Sequence, residues 1–129
     1  MSFRTKAAFS CLWLLMLVAC AAPPIVSGGE LRNETGSTIS RVRGVFQPTE
    51  RTVYSNQILP GRALKLGFSP REIQNRSVDL TWIGGDGREH KTTLGMPPIP
   101  PHLENQPLWV IYSVHPDGTA TVRMQPAVE

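Results

Sequence analysis

Leu108-Trp109-Val110-Ile111-Tyr112-Ser113-Val114-His115-Pro116-Asp117-Gly118-Thr119-Ala120-Thr121-Val122-Arg123-Met124 is the stretch that decides the fold. Residues 108–114 are a nearly continuous apolar run, the pattern of a central strand buried on both faces. Residues 119–124 are rich in β-branched side chains. Pro116 followed by Asp117-Gly118 is strong turn chemistry, so the two runs read as a β-hairpin.

The same grammar extends upstream. Val78, Leu80 and Trp82 alternate with Asp79, Thr81 and Ile83, and Leu64, Leu66 and Phe68 alternate with Ala63, Lys65 and Gly67. Both are the period of two expected of strands. Gly84-Gly85-Asp86-Gly87 turns strand 77–83 into the polar stretch 88–94, which reads as an edge strand protected by its charges. Residues 38–47 and 52–59 read as two further strands, with Pro60-Gly61 turning the chain and 29–34 a weaker first strand. Ile39 is out of phase with Val42, Gly44 and Phe46, which calls for a bulge. Ser69-Pro70-Arg71-Glu72 has the form of a capping box with Pro at N1, and predicts a single helical turn. Six to eight short strands separated by turn signals predict an all-β domain. The expected form is a small antiparallel β-sandwich, immunoglobulin-like or transthyretin-like, with a small β-barrel as the alternative.

Met96-Pro97-Pro98-Ile99-Pro100-Pro101-His102 places four prolines in five positions. Fixed φ angles and missing donors exclude this segment from a central strand. It is expected to be an extended, polyproline-like crossover between sheets, with Ile99 pinned to the core. Its exposed edge, Pro98, Pro100 and Pro101 with His102, is a candidate docking surface, because a stiff segment loses little entropy on binding. Trp109 and Ile111 face away from Val110 and Tyr112. They form either an outward apolar patch of the kind that marks interaction sites or a pair covered by a loop or by segment 96–107. Phe46, Tyr54, Phe68, Trp82 and Tyr112 are expected in the core.

The N-terminus carries the one specific motif. Arg4 and Lys6 precede an apolar run, Ala7 to Val18, broken only by Ser10 and Cys11, and small residues stand just before Cys20. This is secretory-signal anatomy. Leu17-Val18-Ala19-Cys20 resembles the lipobox of bacterial lipoproteins. In that family the Cys thiol receives diacylglycerol, the peptide is cut before the Cys, and the new amine is acylated. The small, Pro/Gly-containing stretch reads as a tether over 20–29 and the strand pattern as a sandwich domain over 30–129, while the resemblance implies a signal peptide over 1–19 and a lipidated Cys20. It further implies a permanent anchor, since more than one acyl chain holds a protein stably at a bilayer. Ala21 in place of Asp resembles lipoproteins sorted to the outer membrane, facing the periplasm. Ordinary cleavage near Ala21-Ala22, or an uncleaved anchor, are the alternatives. The apolar run is short for the latter, because a spanning helix needs about 20 apolar residues.

Loss of residues 1–19 leaves 110, enough for one small core. Arg4 and Lys6 leave with the signal, so 11 of the 13 basic residues remain against 10 acidic ones. The domain is nearly neutral and has no basic run, so nucleic-acid binding has no electrostatic footprint. Cys11 is discarded and Cys20 is committed to lipid, which leaves no disulfide or Cys-based metal site.

No catalytic signature is present. There is no Gly-x-Ser-x-Gly, no free Cys remains, and Gly84–Gly87 is not followed by a helical pattern that would cradle phosphate. Asp79 and Asp86 read as solvated rather than paired carboxylates. His90, His102 and His115 follow no ligand spacing, and Met96 and Met124 read as core filler rather than soft ligands. No cofactor or metal is expected. Asn33-Glu34-Thr35 and Asn75-Arg76-Ser77 match the glycosylation acceptor pattern by chance. The expected function is that of a lipid-anchored, non-catalytic interaction or assembly module with an envelope protein partner. The alternative is a carrier of a small ligand or metal.

Overall fold

The computed structural model describes residues 24–73 and 75–127, apart from the Phe68 side chain. The lipobox, including Cys20, lies outside the described residues. Eight strands form in chain order: β1 (Ile25–Asn33), β2 (Ile39–Gln47), β3 (Arg51–Ile58), β4 (Ala63–Glu72), β5 (Ser77–Ile83), β6 (Glu89–Gly95), β7 (Leu108–Val114) and β8 (Ala120–Pro126). They make two four-stranded sheets, β4-β1-β7-β8 and β3-β2-β5-β6. The fold is a β-sandwich, not a closed barrel.

Two of the hairpins share one turn design. In each, an i to i+3 bond (Gly87 N–H to Gly84 O, 3.0 Å; Gly118 N–H to His115 O, 3.1 Å) is followed by a left-handed glycine, φ +77° and +83°. In each, an Asp carboxylate accepts from the backbone N–H two residues on, Asp86 from Arg88 at 3.0 Å and Asp117 from Thr119 at 3.1 Å. This is a type I turn closed by a glycine bulge. The turn residues alone therefore decide the β5–β6 and β7–β8 pairings.

The core lies between the sheets. Ile39, Val78, Leu80 and Trp82 from one sheet meet Leu31, Val110, Tyr112 and Val114 from the other. Along β5 the burial alternates as the sequence does, with Val78, Leu80 and Trp82 at 1–2% exposure. The β2 bulge is present: its pairing with β5 shifts between Ser40 and Arg43, and Arg41 has φ +48°. The polar strand β6 is an edge, and β7 is central with Ile111 and Val114 wholly buried.

Four expectations are corrected. First, β1 begins at Ile25, inside the segment read as a tether. Ile25 and Val26 pair with Glu72 and Arg71, and Val26 also pairs with Leu108, so their backbone groups enter ladders. Second, the same pairing draws residues 69–72 into β4 rather than a helical turn. β4 is an edge strand, where Pro70 is tolerated. Third, the pairing is not wholly antiparallel: β1 runs parallel to β7. Fourth, Tyr54 is 56% exposed on the edge strand β3 rather than in the core.

The proline segment crosses from one sheet to the other. Pro100 has polyproline-like angles, φ −59° and ψ 142°, and a single 3-10 turn follows at Pro101–Leu103. The side chain that pins it is Leu103, 4% exposed, whereas Ile99 is only half-buried.

Candidate functional site

Two strand residues without side chains shape the space around β1. Gly28 sits beneath Trp109: a Cβ there would lie 2.5 Å from the indole ring and 2.3 Å from the Leu66 carbonyl oxygen. The ring runs along β1, and its Nε1–H donates to Glu30 at 2.9 Å. The Glu30 carboxylate also accepts from Arg32 Nε at 2.7 Å. Burial by itself would raise the Glu30 carboxyl. The Arg32 and Trp109 hydrogen bonds, with the charges of Arg32 and Lys65, outweigh it and hold the group below its ordinary value. The outward Trp109–Ile111 pair is thus no open patch: Trp109 is half-buried and Ile111 fully buried.

Gly29 is placed as tightly, since a Cβ there would lie 2.7 Å from the Val110 carbonyl oxygen. It lines a cavity of about 490 Å³ between the sheets. Leu31, Leu64 and Val110 form one wall, and Phe46, Val53 and Leu80 the other. Tyr112 also lines the cleft and meets the Phe46 ring edge-on, with centroids 6.0 Å apart. Burial pushes the Tyr112 hydroxyl up to about 12, so this wall stays neutral across the ordinary pH range. The cleft lies between β3 and β4, edge strands of different sheets that do not pair with each other. Polar side chains gather where β1 begins: Thr49 and Arg51 near the β2–β3 turn, Arg71 and Glu72 at the end of β4, and Asn75 before β5. Thr49 donates to the Asn75 side-chain oxygen at 2.8 Å and ties two of these loops together. The volume falls within the roughly 300–1,000 Å³ of small-molecule sites, and the mainly apolar lining with few polar groups is also typical of them.

The remaining candidates are scattered. His90 stacks on Trp82, with centroids 5.4 Å apart, and its Nε2 is 3.6 Å from Asp86. His115 shares a 2.7 Å hydrogen bond with Thr121 and lies 3.5 Å from Glu34. His102 sits exposed in the 3-10 turn, between the end of β6 and the start of β7 and so at the opposite end of the sandwich from these two. Among the described residues no three His, Cys, Asp or Glu side chains are grouped to hold a metal ion. Asp79 accepts from Thr93 at 2.7 Å and from Gln47 at 3.4 Å, which lowers its pKa, while Asp86 is engaged in its own turn. In the crossover, Pro98, Pro101 and His102 are exposed and Pro100 is half-buried.

Asn33, matched to a glycosylation pattern in sequence, has no exposed surface at all. Its amide donates to the carbonyls of Ser37 and Ile58 at 2.7 and 2.8 Å, and its oxygen accepts from the Thr35 N–H and hydroxyl.

The cleft is the feature that sequence reasoning missed. Its signal was Gly28-Gly29, because glycine inside a strand marks a close approach of another group. Read as part of a flexible tether, the pair lost that meaning. No protein-family model matches the sequence, and no curated protein matches it. Among solved structures the chain is similar to one described as the NMR structure of the protein from Eubacterium rectale. The TM-score is 0.50 at 10% identity, covering 78% of this chain and 89% of that one. At that identity the likeness concerns the fold alone.

Proposed function

We propose that this is a lipid-anchored protein of the bacterial envelope, held through Cys20 at the outer membrane and facing the periplasm, that works by binding rather than by catalysis. The inter-sheet cleft is its working site, and a small apolar ligand is what it carries. The observation that supports this reading is the cleft itself: about 490 Å³, walled by aliphatic and aromatic side chains of both sheets, with its polar rim at the end where β1 begins. Cys20 precedes Val26, a lining residue, by only six positions, which span at most about 20 Å. An anchored domain would hold that rim close to the bilayer. Nothing in this role requires a chemical step.

A second reading, docking of an envelope protein partner on the proline segment, is favoured by one observation. Leu103 anchors that segment while Pro98, Pro101 and His102 remain exposed, so the surface is ordered before a partner arrives. Trp109 adds little to it, with its indole held by Glu30.

The anchor is tested by fatty-acid labelling of the full chain in bacteria. Label is expected on the wild type and lost on Cys20→Ala, and label that persists in Cys20→Ala would overturn it.

A further inference from the structure

We infer that the edge strand β3 pairs with β3 of a second copy of this chain, antiparallel about a two-fold axis at Tyr54. This interface goes beyond the binding role and does not depend on what the cleft carries. The sandwich has four sheet edges, β3 and β6 in one sheet and β4 and β8 in the other. An unpaired edge is a template for another strand, and proteins guard such edges with charge and proline. Three of the four are guarded. β6 carries Glu89 and Lys91, β4 carries Lys65 and Pro70, and β8 has Arg123 at its midpoint and ends in Pro126. β3 is not guarded: Thr52-Val53-Tyr54-Ser55-Asn56-Gln57-Ile58 holds neither a charge nor a proline. Tyr54, at 56% exposure, is the most exposed large apolar side chain among the described residues.

The strand is complementary to itself, which selects a second copy. An axis at Tyr54 sets Tyr54 against the partner's Tyr54, Val53 against the partner's Ser55, and Thr52 against the partner's Asn56. Arg51 falls opposite the partner's Gln57, so no like charges meet. Aromatic pairs directly opposite one another stabilise a ladder, whereas like charges there destabilise it. The same operation on β8 would set two Arg123 side chains face to face. The Ser55 hydroxyl donates to the Gln57 carbonyl at 2.9 Å, which leaves that oxygen a second lone pair for a new ladder. Such a contact is isologous, the commonest symmetry of soluble oligomers. The axis of an antiparallel pair stands perpendicular to the sheet, so the inner faces of both copies lie on the same side. The two cleft mouths, each between β3 and β4, then face one another, with Leu66, 43% exposed, lining each cleft. A second copy thus brings apolar surface to the open side of the sandwich, which a single added strand would not.

The test uses the full chain in bacterial cells, with cysteines introduced on β3 and oxidised in place. Opposed residues of an antiparallel pair have Cα atoms about 4.5–5.5 Å apart, within disulfide reach. Residues two places from the axis stand about 13 Å from their own copies, out of reach. Tyr54→Cys is expected to give about tenfold more reducible dimer than Thr52→Cys or Asn56→Cys, each measured above the wild-type background from Cys11 and Cys20. The double variant Thr52→Cys with Asn56→Cys is expected to recover the dimer. By native mass spectrometry in detergent, the wild type is expected at the mass of two chains. Tyr54→Lys, which opposes two like charges, is expected at the mass of one chain with an unchanged β-type circular dichroism spectrum. Tyr54 is exposed, so this change leaves the core intact. Three results would each overturn the interface: a Tyr54→Cys dimer no more abundant than those of the two flanking variants, wild type at the mass of one chain, or Tyr54→Lys at the mass of two.

Discussion

At the scale of single residues, two buried polar side chains have more consequence than any of the histidines. Asn33 uses both amide hydrogens and its oxygen, so each lone pair or proton lost leaves a buried partner unmade. Asn33→Asp keeps the shape but turns an acceptor toward the carbonyls of Ser37 and Ile58. It is expected to cost about 3 kcal/mol or more in urea unfolding, because orphaned buried groups carry their full desolvation penalty. A loss below about 1 kcal/mol would mean the network is dispensable. Glu30 gives a pH signature. Its carboxyl is held below the ordinary value of 4.5, so its contribution to stability is present above that pH and is lost as pH falls through the lower folded value. Glu30→Gln is expected to flatten the acid limb of the stability curve below pH 4.5. An acid limb unchanged in the variant would show that the Arg32 and Trp109 hydrogen bonds do not favour the charged form.

At the scale of elements, the crossover between β6 and β7 is anchored by the buried side chain of Leu103 rather than by a ladder. Leu103 is buried and Ile99 half-buried, so Leu103→Ala is expected to cost about 2–4 kcal/mol and Ile99→Ala clearly less. Thermal unfolding of the two variants measures the difference, and equal shifts would place the anchor elsewhere in the segment. The hairpins β5–β6 and β7–β8 were legible from Asp86-Gly87 and Asp117-Gly118, because turn chemistry is local. The strand β4 was not: Ser69-Pro70-Arg71-Glu72 has a helical capping pattern, and only the ladder to Ile25 and Val26 overrides it.

At the scale of the whole molecule, the sandwich is packed unevenly. Where β1 ends, Asn33, Ile39 and Val114 are fully buried, and His90 and Gly118 lie against each other across neighbouring hairpins. Toward the start of β1 the space between the sheets remains open. Ile39→Ala is therefore expected to cost about 2–5 kcal/mol in urea unfolding. Val53→Ala, half-buried and already beside the cleft, is expected to cost under about 1.5 kcal/mol, since it makes no new enclosed cavity. Similar losses at the two positions would mean that the cleft closes in solution.

By itself the amino-acid sequence determined the all-β class, most strand positions, the β2 bulge, two of the hairpins and the crossover of the proline segment. Those features depend on alternation, turn residues and fixed φ angles, all of which act within a few residues. Only the tertiary structure decided the parallel pairing of β1 with β7, the recruitment of Ile25 and Val26 into the sheet, the burial of Asn33 and the cleft. Each of these depends on which strands meet across long separations in the chain. Gly28 and Gly29 show the limit most directly. Alone they are two flexible residues, and in the sheet they admit the Trp109 ring on one face and the close approach of the Val110 carbonyl beside the cleft on the other.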